Sequence, residues 1–150
     1  MYHAIVRRKI TALFEAINRG NAEPVIKGFA PVFEHVFIGD HALGGTRRTV
    51  DATRAWYQRL FRLLQGLHFT LERIDIQGPP WATLATVEWR EENSGTDGVR
   101  TSARGVHVAH ITWGKMTRLV IVPDTVKLQA TLARIHAKCV EEAMAAPIVS

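Results

Sequence analysis

The sequence predicts an α+β domain: a curved, mostly antiparallel sheet packed against N-terminal helices, forming a cone around an apolar cavity. Two observations carry this. Helical periodicity governs the first 64 residues, apart from one strand-like run, and returns at the C-terminal end. Between them, residues 68–122 divide into four strand-like runs separated by turn-forming residues. Helices followed by consecutive strands make a segregated α+β domain. A curved sheet folded over helices leaves a concavity of the kind small molecules occupy.

Each element follows from local pattern. Ile10, Leu13, Phe14 and Ile17 repeat at i, i+3, i+4, i+7, which predicts an amphipathic helix ending at Gly20. Asn21 is placed to cap a short second helix through Lys27. VFEHVFI reads as a strand and IGDHALGGTRR as a loop. TVDATRAWYQRLFRLL is a helix with Trp56, Leu60, Phe61 and Leu64 on one face. HFTLERIDIQ alternates, but its apolar phase slips between Leu71 and Ile74, which predicts a bulge there. GPP is a turn, WATLATVEWREE a strand and NSGTDG its loop. Two strands follow in RGVHVAHITWGKMTRLVIVPDT. Asp124 caps a final helix with Leu128, Leu132, Ile135 and Cys139 as its buried stripe, and AAPIVS reads as a frayed tail.

Composition narrows the function classes. At 150 residues the chain is one domain with room for a core. No apolar run approaches the roughly 20 residues of a membrane helix, and the N-terminal pattern suits a folded helix rather than a secretory signal. The single cysteine excludes an internal disulfide and fits a reducing, cytoplasmic setting. Nineteen Lys and Arg oppose 14 Asp and Glu, but the basic residues are dispersed and no nucleic-acid motif accompanies them. Neither nucleic acid nor membrane is therefore expected as a partner. No metal is expected either: His107 and His110, three apart on a strand, face opposite sides. No phosphate-binding loop or nucleophile elbow is present, so no cofactor is implied.

The last two strands define the cavity face. A three-residue loop at Thr112–Gly114, with Gly114 left-handed, pairs Ile111 with Lys115, Ala109 with Thr117, His107 with Leu119 and Gly105 with Ile121. One face is then Gly105, His107, Ala109, Ile111, Leu119 and Ile121. The other is Val106, Val108, His110, Met116, Arg118, Val120 and Val122. A two-residue loop at Gly114–Lys115 is the competing register.

GVHVAHITWGKMTRLVIVPDT, FEHVFIG and RAWYQRLF resemble segments of the nuclear transport factor two-like superfamily, and within it the SnoaL-like polyketide cyclase branch. The resemblance spans nearly the whole chain in element order and implies the cone fold. That fold hosts isomerases, cyclases, dehydratases, hydrolases and proteins without chemistry. The resemblance aligns the acid/base carboxylate of polyketide-cyclising members with Ile121 and the histidine two residues before it with Leu119. Both positions are apolar here. The partner histidine on the neighbouring strand falls on His107. Asp124 falls on the helix-capping position. His35 falls where steroid-isomerase relatives carry a general-base carboxylate.

Two imidazoles are thus the candidate catalytic groups. His35 reads either as a proton-transfer group near neutral pH or as an idle strand-edge histidine. His107 reads either as a ligand-binding group or as a core histidine satisfied by a neighbour. Phe33, Trp56, Tyr57, Trp89, Gly105, Leu119 and Ile121 are the candidate ligand-binding wall, although aromatics at such spacings are more often core. Asp40 and His41 read as a solvated loop. The expectation is a cytoplasmic pocket protein for a small hydrophobic or aromatic ligand, working without cofactor by isomerisation, cyclisation or dehydration if it is an enzyme. The alternative is a non-catalytic binding or assembly module. The apolar outer face of the hairpin predicts a homodimer through the sheet, unless the last helix covers it.

Overall fold

In the computed structural model, which describes residues 1–138 and 140–150, helix α1 (Tyr2–Asn18) buries Val6, Ile10, Phe14 and Ile17. It ends at Gly20, whose φ is +75°. Asn18 fixes α1 on the sheet: its amide donates to Phe69 O at 3.0 Å and accepts from Phe69 N at 2.7 Å. Helix α2 (Glu23–Lys27) follows, with the Asn21 side chain accepting from Glu23 N. Strand β1 (Phe29–Phe37), strand β2 (Gly45–Arg47) and helix α3 (Val50–Leu63) come next. Strands β3 (His68–Gln77), β4 (Thr83–Asn93), β5 (Thr101–Thr112) and β6 (Lys115–Pro123) lead into α4 (Thr125–Ala137) and a short 3₁₀ turn (Glu141–Met144).

The sheet order is β2-β1-β6-β5-β4-β3. Every pairing is antiparallel except β1 with β6. The sheet is curved and unclosed, and the α+β expectation holds. The expected irregularity in β3 is present: Leu71 pairs with Trp89 and Arg73 with Glu88, leaving Glu72 as the extra residue. That extra residue resets the phase, so Phe69, Leu71, Ile74 and Ile76 all pack against the core.

Several local expectations are corrected. The loop after β1 contains β2, which pairs Arg47 with His35. The β5–β6 turn is a two-residue loop at Trp113–Gly114, with Thr112 opposite Lys115 and φ positive at both turn residues. Thr117 is then extra, between the pairs Ile111–Met116 and His110–Arg118. His107 consequently faces Ile121 rather than Leu119, and Gly105 faces Pro123. The bulge preserves the faces beyond it but turns Met116 inward, where it is buried. The tail is not frayed: Ser150 N donates to Thr46 O, and Ser150 Oγ accepts from Arg48 N and Thr49 N. Asp124 caps α4 by accepting from Lys127 N at 3.1 Å. Leu128, Leu132 and Ile135 are its buried stripe, while Cys139 lies outside the described residues.

Gly105 has a packing role. It pairs with Trp89 across β4–β5, and a Cβ at Gly105 would overlap the six-membered ring of that indole. The expected outcome for Gly105→Ala is a loss of about 1–3 kcal/mol of stability, the usual cost of overpacking a filled core. Urea denaturation measures it, and an unchanged midpoint would contradict this packing.

Candidate functional site

The concave face of the sheet and the helices α1, α3 and α4 enclose a cavity of about 90 Å³. Its wall is almost entirely apolar, from Phe14 and Ile17 on α1 to Leu128 on α4. Of the residues singled out in the sequence, Trp56, Tyr57, Trp89, His107, Leu119 and Ile121 line it. Phe33, His35 and Gly105 lie outside the lining: Phe33 stacks on Phe29 at 4.3 Å between ring centroids, and Gly105 lies beneath Trp89. Asp40 is exposed. His41 packs against Phe37, with its Nδ1 accepting from Leu43 N.

The buried His35 is opposite Arg47, and Arg47 Nε donates to its Nδ1 at 2.9 Å. A guanidinium has no acceptor, so Nδ1 is the unprotonated nitrogen and the ring proton is on Nε2. Nε2 lies 3.3 Å from the Tyr57 hydroxyl and donates to it. With its oxygen accepting from His35, Tyr57 keeps its own proton free to donate, and Tyr57 is one of the residues lining the cavity. Burial, reinforced by the Arg47 charge, holds His35 well below the ordinary histidine range. Burial raises the Tyr57 phenol, with Arg47 partly opposing it. The phenol is therefore neutral at neutral pH.

His107 has the same logic. Trp89 Nε1 donates to His107 Nδ1 at 2.6 Å. An indole N–H only donates, so His107 is neutral and carries its proton on Nε2. Phe14 and Phe69 pack edge-on to the ring at 4.9 and 6.1 Å. Burial lowers its pKa to about 3. Neither imidazole is poised as a base at neutral pH, and both are fixed in the tautomer whose proton points away from its obligate donor.

Two functional groups escaped the sequence reading. Arg47 is fully buried without a carboxylate. Its guanidinium donates to the carbonyls of Gly44, Gly45 and Ile148 and lies 5.1 Å from the Trp56 ring centroid. Burial lowers its pKa to about 10, which leaves it charged at neutral pH. Glu91 lines the cavity as an inward carboxylate. Burial raises its pKa above the ordinary value, while the Asn93 amide, donating at 2.9 Å, opposes the rise. Its signal was present: Ala85, Val87, Trp89 and Glu91 share one phase of β4. Among the described residues no cluster of three His, Cys, Asp or Glu is disposed to hold a metal. No helix of the described residues is long and apolar enough to cross a membrane.

The sequence matches the model of a family described as SnoaL-like domain over residues 10–119. No curated protein matches. Among solved structures the chain is similar to TerC co-crystallized with polyporic acid, at 22% identity and TM-score 0.72, covering 83% of this chain and 95% of that one. It is similar to a putative SnoaL-like polyketide cyclase from Jannaschia sp. CCS1, at 14% identity, TM-score 0.68, and 83% and 88% coverage. A Catenulispora acidiphila protein with a ketosteroid isomerase-like fold, in complex with trimethylamine, matches at 16% identity, TM-score 0.68, and 85% and 92% coverage. At these identities the likeness concerns the fold.

The lowered pKa of His107 has a pH signature. The unfolded chain takes up this proton near 6.5, whereas the folded chain refuses it until about 3. Stability is therefore expected to be flat above the unfolded value and to fall as the solution is acidified from about pH 6.5 toward 3. His107 contributes at most about 1.4 kcal/mol to the fall for each tenfold rise in proton concentration, and His35, lowered in the same direction, adds to it. Imidazole resonances followed by NMR check the assignment: a His107 midpoint near 6.5 would refute it.

Proposed function

The chain belongs to the SnoaL-like domain family, and from that premise we propose that its cavity receives a small, largely apolar cyclic or aromatic metabolite bearing an oxygen acceptor. What supports this is a pair of neutral donors, Tyr57 O–H and His107 Nε2–H, on residues of a mostly apolar wall whose acidic members are Glu91 and Asp124. A lone donor in an apolar pocket costs free energy until an acceptor meets it, so two donors select a ligand oxygen. Structural neighbours with polyporic acid and trimethylamine bound support a small-molecule role.

The same groups suit cofactor-independent proton transfer. Donors aimed at a carbonyl oxygen stabilise the enolate formed when a proton leaves the adjacent carbon. Glu91, with its raised pKa, is the base in this scheme. His107 is a hydrogen-bond donor to the substrate, and His35 a positioning residue that orients Tyr57. Isomerisation, cyclisation and dehydration all proceed through such a step. A non-catalytic binding module is the second reading. It is favoured by the cavity's volume, about 90 Å³, against roughly 300–1,000 Å³ for typical ligand sites, and by the apolar Leu119 and Ile121.

Cyclohexenone and cyclohexene, titrated against the indole fluorescence, test the donors. Tyr57→Phe should weaken the enone by about 3–10-fold, the worth of one hydrogen bond, and leave the hydrocarbon unchanged. Equal losses for both would count against the assignment. Deuterium uptake from D₂O at the carbon beside the carbonyl separates the two readings. Exchange that Glu91→Gln abolishes identifies an enzyme, and its absence in the native chain identifies a binding module.

The outer sheet face carries a second part of the proposal, a homodimer. Val106, Val108 and Val120 are half-buried and Val122 is 40% exposed. Helix α4 leaves them uncovered, since its Leu128 is in the cavity wall. Val36, opposite Val120, extends the stripe. A self-complementary contact of about 800 Å² per partner would cover it. Light scattering should give twice the 16.8 kDa of one chain, and a monomer mass at every concentration would overturn it. The setting proposed for this assembly is the cytoplasm, in keeping with the single cysteine.

A further inference from the structure

We propose that the end of the cone formed by the β5–β6 turn and the turn before β4 is a docking surface for an anionic lipid membrane. This goes beyond the proposed pocket function and is independent of it. It departs from the sequence-based expectation of no membrane partner, which rested on the absence of a spanning segment and does not bear on a surface contact.

The first observation is a residue in the wrong place for stability. Trp113 occupies the first central position of a two-residue hairpin loop with φ +50° and is 69% exposed. That position favours Asn, Asp or Gly, whereas a bulky side chain there is strained. Local rules broken without gain to the fold mark functional positions. The second observation is that Trp113 has a companion. Trp81, 59% exposed, lies 5.8 Å away between ring centroids. The two turns are tied together by Trp113 N, which donates to Pro80 O at 2.7 Å. Val32, 86% exposed, lies on the adjacent β1 between the rungs Phe29–Met116 and Glu34–Arg118.

Charge identifies the partner. The segments forming this end, residues 1–3, 27–32, 77–83 and 110–117, contain no Asp or Glu, although the chain has 14. They contain Lys27 and Lys115, with Lys115 Nζ drawn onto Lys27 O at 3.0 Å. Indoles prefer the polar–apolar boundary of a bilayer, where ring and N–H are both accommodated. Adjacent ammonium groups are attracted to anionic headgroups. A single-stranded nucleic acid would use the indoles but not the exposed Val32. Turn tips also present a protruding surface, which suits insertion at a bilayer better than a flat protein contact. Met116, in the cavity wall, lies three residues beyond Trp113, so docking would bring the cavity close to the bilayer.

Co-sedimentation with vesicles tests this, using phosphatidylcholine alone and phosphatidylcholine mixed with phosphatidylserine. The intact chain should sediment with the mixed vesicles at low salt, with a blue shift of its indole emission, and less with the neutral ones. Lys115→Gln should lower the partition coefficient about fivefold. Trp81→Ser combined with Trp113→Asn should lower it at least as far. Asn suits the left-handed position, so a melting temperature of Trp113→Asn no lower than the parent's shows that the fold is intact. The proposal is overturned if the intact chain stays in the supernatant with phosphatidylserine vesicles, as a surface built for protein or RNA would. It is equally overturned if the double tryptophan variant sediments as well as the parent.

Discussion

Each of the two imidazoles in this core accepts a hydrogen bond from a group that can only donate, and the rest of the site depends on those two bonds. Arg47 Nε and Trp89 Nε1 leave His35 and His107 no choice of protonation state. A protonated ring at either place would set an N–H against an N–H inside an apolar core. The cost of that opposition and the burial of the rings act in the same direction, toward neutral imidazoles. A residue type that usually switches near neutral pH is held in one state. On two residues of the cavity wall, His107 and Tyr57, the polar hydrogen not engaged by these bonds is then fixed in sign as a donor.

Those bonds in turn rest on backbone features far apart in sequence. Trp89 reaches His107 because Gly105, directly opposite it, has no Cβ to displace the indole. Arg47 reaches His35 because β2 pairs with β1 at that rung. Arg47 is kept in place, though no carboxylate faces it, by three carbonyls, one of them Ile148 O from the tail. The ordered tail is therefore part of the site's support: it satisfies a guanidinium that orients an imidazole, which orients a phenol.

What was legible in the sequence was whatever depends on near neighbours. The stripe of α1, the Asp124 cap and the irregularity near Glu72 follow from spacing along one segment. Trp56 was placed by helical phase and His107 by alternation along its strand, and both are among the residues lining the cavity. Features set by long-range pairing were not legible. β2 is three residues long, too short to show a period, and exists only against β1. The β5–β6 register hinged on Trp113 adopting a backbone conformation that its side chain disfavours, so a rule giving the left-handed position to glycine alone chose a loop one residue too long. The extra residue at Thr117 restored the parity, which is why the face of His107 was read correctly from an incorrect register. Arg47 was one of the dispersed basic residues of the sequence, since its acceptors come from three separate segments. Glu91 read as the charged end of a strand, although its phase matched Val87 and Trp89.

The departure from the family pattern at Leu119 and Ile121 gains a physical sense from this arrangement. A carboxylate at Ile121 would lie opposite His107 on the neighbouring strand. Such a charge favours the protonated ring, but protonating Nδ1 would break the bond from Trp89. The indole is held above Gly105 with no room to turn away. A carboxylate at Ile121 would therefore take up the Nε2–H that the neutral ring holds free, while the indole would still oppose protonation of Nδ1. This chain has the indole, which keeps the ring neutral, and it carries its cavity carboxylate on β4 at Glu91, beyond Trp89 and away from His107. Donors and carboxylate are thereby separated along the cavity rather than paired at one rung. In the proposed proton-transfer scheme, the substrate carbon that loses its proton therefore lies on the Glu91 side of the oxygen held by Tyr57 and His107.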